Sequence, residues 1–159
     1  MYDTIENHII ERDIFCMNEA LKLAEKSFSE GQVPVGAVMY DNLCDKIVGK
    51  GRNFGNRKAP TRHAEEICIE NACKALNYEH LNNCIMYVTL EPCIMCLGAS
   101  INARVGEIIF GAYSNDNGAL WTKNIFETQN FAHVPGFRGG LMEKECSEIL
   151  SRFFGGLRK

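Results

Sequence analysis

Two short elements carry residue types that could hold and use a metal ion. His63-Ala64-Glu65 opens one predicted helix, and Pro92-Cys93-Ile94-Met95-Cys96 opens another. Cysteines three apart lie on one face of a helix start, so their sulfurs can meet a single ion. The helix N-terminus favours their thiolate forms, and its spare backbone N–H groups can donate to the sulfurs. His63 supplies a third ligand. Glu65, two positions on, can point into the same cavity without ligating. Zinc with three protein ligands keeps one tetrahedral position for water and lowers the pKa of that water toward about 7. The chemistry that follows is hydrolytic loss of an amine from an amidine-like ring carbon. A ring nitrogen and then the leaving amine must be protonated, and one carboxylate beside the water can carry both protons. Glu65 is the candidate.

Neither half is decisive alone. Cys-x-x-Cys also fits a redox pair or half of a structural zinc site. The redox reading leaves His63 and Glu65 without roles. A structural zinc needs a fourth Cys or His, for which Cys68 is the nearest offer. Together, His-x-Glu and Pro-Cys-x-x-Cys form the signature of zinc-dependent nucleobase deaminases.

These elements need a scaffold. Ile10, Ile14, Met17, Leu21, Ala24 and Phe28 recur at helical spacing, which predicts a helix over 10–30 with Gly31 as its stop. Val35–Tyr40 and Ile47-Val48 read as a hairpin of two strands. Gly49, Gly51, Gly55 and Pro60 lie in polar surroundings and predict a loop running to His63. Ala64–Leu76 reads as a helix with Ala64, Ile67, Cys68, Ala72, Ala75 and Leu76 inward. Strands follow at Ile85–Leu90 and Glu107–Ala112, with a helix Cys93–Ala103 between them, so these two strands can run parallel. Residues 115–140 show little periodicity, with room for a short strand between Phe131 and Phe137. Met142–Phe154 closes the chain as a helix, with Cys146, Ile149, Leu150, Phe153 and Phe154 inward and Lys144–Glu148 as a surface pair. Helices interleaved with strands imply an α/β chain whose mixed sheet carries helices on its faces.

The 159 residues suit one domain. A hydrophobic fraction of 46% and a charged fraction of 23% exclude a disordered, collagen-like or coiled-coil chain. No apolar run approaches a transmembrane span, and no basic leader opens the chain. Eight cysteines without a signal sequence imply a reducing compartment, with the cytoplasm as the default. The net charge of −3 advertises no global field for nucleic acid. Locally the balance differs. Lys46, Lys50, Arg52, Arg57, Lys58 and Arg62 occur with no carboxylate between them. Such a stretch beside a pocket can bind phosphates, and Arg138 can extend it.

The chain resembles the cytidine deaminase-like superfamily and, within it, the bacterial-type tRNA adenosine deaminases. The resemblance rests on Val33-Pro34-Val35-Gly36-Ala37-Val38, Gly51-Arg52-Asn53, Ala59-Pro60-Thr61-Arg62-His63-Ala64-Glu65 and Tyr87-Val88-Thr89-Leu90-Glu91-Pro92-Cys93-Ile94-Met95-Cys96. It extends through Gly111-Ala112 to Phe153-Phe154. It implies a three-layer α/β/α fold with about five strands in a mixed sheet, and one Zn2+ per subunit on His63, Cys93 and Cys96. It also implies Glu65 as proton shuttle and a homodimer acting on the wobble adenosine of a tRNA anticodon loop. By the same resemblance Asn53 contacts the flipped nucleoside, Val33 lies beside the base, and Leu90 and Glu91 shape the pocket. Tyr113-Ser114-Asn115-Asp116-Asn117-Gly118 departs from the family, which often carries Asp at the position of Ser114. The alternative with the same metal chemistry is a deaminase of free guanine or a related small base.

Overall fold

The computed structural model describes residues 2–54 and 59–157; Gly55, Arg57 and Lys58 of the predicted loop lie outside them. The elements run α1 (Tyr2–Ser29), β1 (Gly36–Asp41), β2 (Lys46–Arg52), α2 (Ala64–Leu76), β3 (Cys84–Leu90), α3 (Ile94–Asn102), β4 (Glu107–Ala112), β5 (Gly136–Gly139) and α4 (Glu143–Leu157). A short 3-10 turn at Ile125–Glu127 precedes β5. One five-stranded sheet forms in the order β2-β1-β3-β4-β5. β1 is antiparallel to β2 and to β3, whereas β3, β4 and β5 are parallel. No helix among the described residues is long and apolar enough to cross a membrane.

β3 explains the layering. Cys84–Val88 is buried throughout, as a central strand covered on both faces should be. Ile85 and Tyr87 join Val38, Cys16, Met17, Ala20 and Cys146 in a core between the sheet and helices α1 and α4. Met86 and Val88 face the other way and pack with Ala64, Cys68, Ala72 and Leu97 under α2 and α3. The result is the expected three-layer mixed α/β/α architecture.

The first helix is rotated from its predicted face. Ile10 and Ile14 are exposed, while Asp13, Cys16, Met17, Ala20, Ala24 and Ser27 are buried. Burial here favours small residues that let the helix approach the sheet, together with one satisfied carboxylate. Asp13 accepts from the Tyr87 hydroxyl at 2.6 Å and from Arg12 and Arg138 at 2.9 and 3.1 Å. On α2, Ile69 is buried where Ala75 was expected.

The predicted loop from Gly49 is also corrected, because β2 continues through Gly49 and Gly51 to Arg52. These glycines serve close approach rather than turning. A Cβ on Gly51 would stand 2.0 Å from the Ala64 carbonyl oxygen and 2.5 Å from the Cys68 nitrogen, both backbone atoms of α2. Helix α2 therefore lies directly on the strand, which fixes the position of its first turn. Gly51→Ala must push α2 outward. We expect a loss of about 1–3 kcal/mol, read as a fall of about 5 °C in thermal midpoint. An unchanged midpoint would contradict this packing.

Candidate metal centre and active site

Two helix starts converge beyond the C-terminal end of β3, the usual location of ligand sites in open α/β sheets. His63 is the N-cap of α2 and Cys93 the N-cap of α3, both with extended backbone. The helix predicted to begin at Cys93 thus begins one residue later, and Cys96 falls in its first turn. The Asn53 side chain ties the two halves of the entrance together. Its oxygen accepts the Ala64 N–H at 3.0 Å, and its amide donates to the Val33 carbonyl at 3.0 Å.

His63 Nδ1 lies 3.8 Å from Cys93 Sγ and 3.4 Å from Cys96 Sγ, and the sulfurs are 3.6 Å apart. A tetrahedral zinc with ordinary Zn–S and Zn–N bonds would hold its ligand atoms about 3.6–3.8 Å apart. The triangle has the size the ion requires, and its donor set of one imidazole and two thiols suits zinc. Among the described residues these three alone form such a cluster, with ligand atoms all within 4.8 Å. Cys68, the candidate fourth ligand of a structural site, is fully buried in the core under α2 instead. Glu65 also stands outside the cluster.

The site biases protonation. The Cys96 thiol, the His63 ring and the backbone N–H groups of Met95 and Cys96 hold the Cys93 thiol down at about 3, against the effect of burial. Cys96 moves in the opposite direction, because it donates the shared proton and is buried. Without a metal the pair therefore holds one thiolate, centred on Cys93. The Cys93 contact raises the His63 pKa, opposed by burial. Glu65 is only 4% exposed. Its burial pushes the carboxyl up to about 7, where it can take or give a proton at neutral pH.

The centre forms the floor of a cavity of about 640 Å³, lined by His63, Glu65, Cys93, Asn53, Val33, Val35, Leu90, Glu91, Tyr113, Ser114 and Phe154 among others. Val33 and Phe154 stand exposed at the rim. Asn53, Val33, Leu90 and Glu91 are thus all at the cavity. Of the basic residues expected around it, Lys50 pairs with Glu19 at 2.9 Å and Arg52 with Glu30 at 2.6 Å. Lys50, Arg52 and Arg62 line a neighbouring groove of about 330 Å³ with Phe54. Arg138 is placed elsewhere. It lies on β5, and its guanidinium donates to Glu107 at 2.7 Å and to Asp13. His133 Nε2 lies 2.8 Å from the Val105 carbonyl oxygen.

Sequence reasoning passed over Glu66. Its carboxylate accepts the His63 N–H at 3.3 Å and lies 3.7 Å from Cys96 Sγ, so it braces the imidazole-bearing residue. The signal was available, since a carboxylate three residues after an N-cap is half of a capping box. Tyr113, Leu150 and Phe154 were also missed as cavity residues. They arrive from the residue after β4 and from α4, far away in sequence.

Comparison with known proteins agrees with this geometry. The family model of the cytidine and deoxycytidylate deaminase zinc-binding region matches residues 10–112. The chain is 39% identical to a tRNA-specific adenosine deaminase of Bacillus subtilis, over 93% of this chain and 92% of that one. It is 38% identical to the protein of that name from Haemophilus influenzae, over 91% and 84%. A solved structure from a study of A-to-I editing by tRNA:A34 deaminases at the wobble position superposes with a TM-score of 0.77 at 35% identity, covering 86% of this chain and 99% of that one. A guanine deaminase from Nitrosomonas europaea shares the fold, with a TM-score of 0.72 at 19% identity, over 88% and 83%. By its metal-binding triangle, its fold and these near-full-length relatives, the chain belongs to the family of the tRNA-specific adenosine deaminases, within the cytidine and deoxycytidylate deaminase zinc-binding group.

Proposed function

We propose that the protein converts the wobble adenosine of a tRNA anticodon loop to inosine, releasing ammonia. The observation that carries this reading is the His63–Cys93–Cys96 triangle with Glu65 buried beside it and off it, in a chain near-full-length similar to enzymes of that name. These three residues would hold Zn2+, one per subunit, which supplies a Lewis acid that makes water nucleophilic at neutral pH. The protein's own residues do the rest. Glu65 takes one proton from the attacking water and passes it to the purine ring nitrogen beside the reacting carbon, then takes the second from the oxygen now bonded to that carbon and passes it to the departing amine. Val33, Val35 and Leu90 offer an apolar wall for the base, and Asn53 holds the entrance backbone fixed while lining the cavity. A nucleotide in a single-stranded loop can be splayed into such a cavity at low cost.

The groove lined by Lys50, Arg52 and Arg62 is the proposed phosphate path, with Arg57 and Lys58 in the adjoining segment outside the described residues. Exposed ion pairs such as Lys50–Glu19 are worth little, so phosphates can replace their carboxylates. The resemblance supports a homodimer, to be read by light scattering of the eluted protein. Eight free cysteines support a reducing cytoplasm.

The test is incubation of zinc-loaded protein with a tRNA pool, followed by mapping of inosine. Inosine should appear at the wobble position. Raising salt from 50 to 200 mM should weaken the apparent affinity for tRNA about twentyfold, as expected for roughly three phosphate contacts on a single strand. Ammonia from free guanine, salt-insensitive and with no inosine in tRNA, would replace this reading by the free-base alternative.

A further inference from the structure

Glu91 is the second deeply buried carboxylate of the cavity, at 2% exposure. It follows the last residue of β3 and is held in line by its N–H, which donates to the Ala112 carbonyl at 2.8 Å. Its carboxylate is turned into the backbone of the segment after β4. Ser114 N–H donates to Oε2 at 3.1 Å, and Trp121 and Thr122 N–H donate to Oε1 at 2.7 and 2.8 Å. The Thr122 hydroxyl donates to Oε2 at 2.5 Å. A carboxylate offers about four acceptor positions, and all four are filled by this one segment. Gly118 closes over the group. A Cβ there would stand 2.3 Å from Oε2.

The segment wound around Glu91 is the one that presents Ser114, Asp116 and Asn117 to the cavity. Tyr113 lines the same wall, and Trp121 packs edge-on against it at 6.1 Å between ring centroids. We propose that Glu91 is a positioning residue. Its carboxylate is the clasp that fixes residues 114–122 as the substrate-facing wall, and thereby sets the affinity for a nucleotide presented on a strand. Its role differs from that of Glu65. With every acceptor position taken by backbone and hydroxyl donors, Glu91 is occupied in holding shape, and proton transfer falls to Glu65. This role rests on the proposed deamination in that the wall faces its substrate.

Glu91→Gln tests the clasp. An amide has one acceptor oxygen, so in either orientation its NH2 faces at least one backbone N–H, donor against donor. The wall is thereby released. The chain has a single tryptophan, Trp121, inside the clasped segment. Its fluorescence anisotropy therefore reports the wall without any substrate. In zinc-loaded Glu91→Gln we expect lower Trp121 anisotropy. KM for an anticodon stem-loop should rise at least about tenfold while kcat falls less than about threefold. Zinc content should stay at one per chain. Unchanged anisotropy and KM in folded, zinc-loaded protein would overturn the proposal.

Thr122→Val removes one of the four donors and leaves Glu91 in place. It should shift both readouts in the same direction by a smaller factor, and serves where Glu91→Gln does not fold; no shift in it also counts against the clasp. If the protein deaminates free guanine and not tRNA, the deamination reading fails, whereas the anisotropy result still decides the clasp.

Discussion

Glu65→Gln should retain its zinc and lose about three to four orders of magnitude in kcat, measured as inosine formed in single-turnover reactions with metal content determined in parallel. The size follows from the number of steps that depend on this group, since both the ring nitrogen and the leaving amine need protons. The isosteric amide preserves packing in a position that is 4% exposed, but it can neither accept nor release a proton. The same substitution should raise stability. In the metal-free protein burial lifts the Glu65 pKa from an ordinary carboxylate value to about 7. The unfolded chain then ionises Glu65 at lower pH than the folded chain, so native stability falls as pH rises from about 4.5 through about 7. Gln has no such penalty. Metal-free Glu65→Gln should therefore melt about 5 °C above metal-free wild type at pH 8, with the gap closing at pH 5. Equal turnover of the two proteins would remove Glu65 from its role. A lower melting point for the variant at pH 8 would show that the carboxylate is held by attractive partners rather than penalised by burial.

The parts of this site that sequence exposes are those governed by local chemistry. His63, Glu65, Cys93 and Cys96 sit at helix starts, where spacing alone decides which side chains face one point, and the structure gathers His63, Cys93 and Cys96 at 3.4–3.8 Å. The parallel pairing of β3 and β4 follows from the helix that joins them. What sequence hides is decided at a distance. Gly49 and Gly51 look like loop residues until α2 is seen lying on them. The hydrophobic spacing of α1 marks Ile10 and Ile14 along with Met17 and Ala24, yet the face that meets the sheet carries Met17 and Ala24 together with Cys16 and Ala20 and leaves Ile10 and Ile14 exposed, because close packing rewards small residues there. Arg138 reads as a free cation next to a basic surface, but the fold brings it to Asp13 on a helix 125 residues earlier. Residues 113–122 lack periodicity, and hydrogen bonds from Ser114, Trp121 and Thr122 tie them to a single carboxylate just past the end of β3, which no local pattern encodes.

Removing one of the three proposed zinc ligands should be as severe as removing the proposed proton carrier Glu65, by a different route. In Cys96→Ser a hydroxyl that stays protonated replaces a buried thiolate ligand, and zinc content should fall well below one per chain, with activity reduced more than about a thousandfold. Adding excess zinc should not restore it. Chelation of wild-type protein should give the same loss, reversed by zinc, because α2 and α3 are held by the sheet and by the contact of α2 with Gly51 rather than by the ion. The metal-free wild type offers a chemical check on the geometry. Cys93 is held as a thiolate at about 3 by the Cys96 thiol, His63 and the N–H groups of the α3 first turn. Cys44, the exposed cysteine of the β1–β2 turn, is raised instead by its contact with the Asp41 carboxylate. A thiolate population already complete at low pH gives an alkylation rate that does not change between pH 5 and 8, whereas a thiol with a raised pKa reacts about tenfold faster per pH unit. Mass-spectrometric labelling should therefore find Cys93 modified at a flat rate, Cys44 at a steeply rising one, and Cys93 protected once zinc is returned. A steep pH dependence at Cys93, or labelling that zinc leaves untouched, would mean that the two helix starts do not present one shared centre.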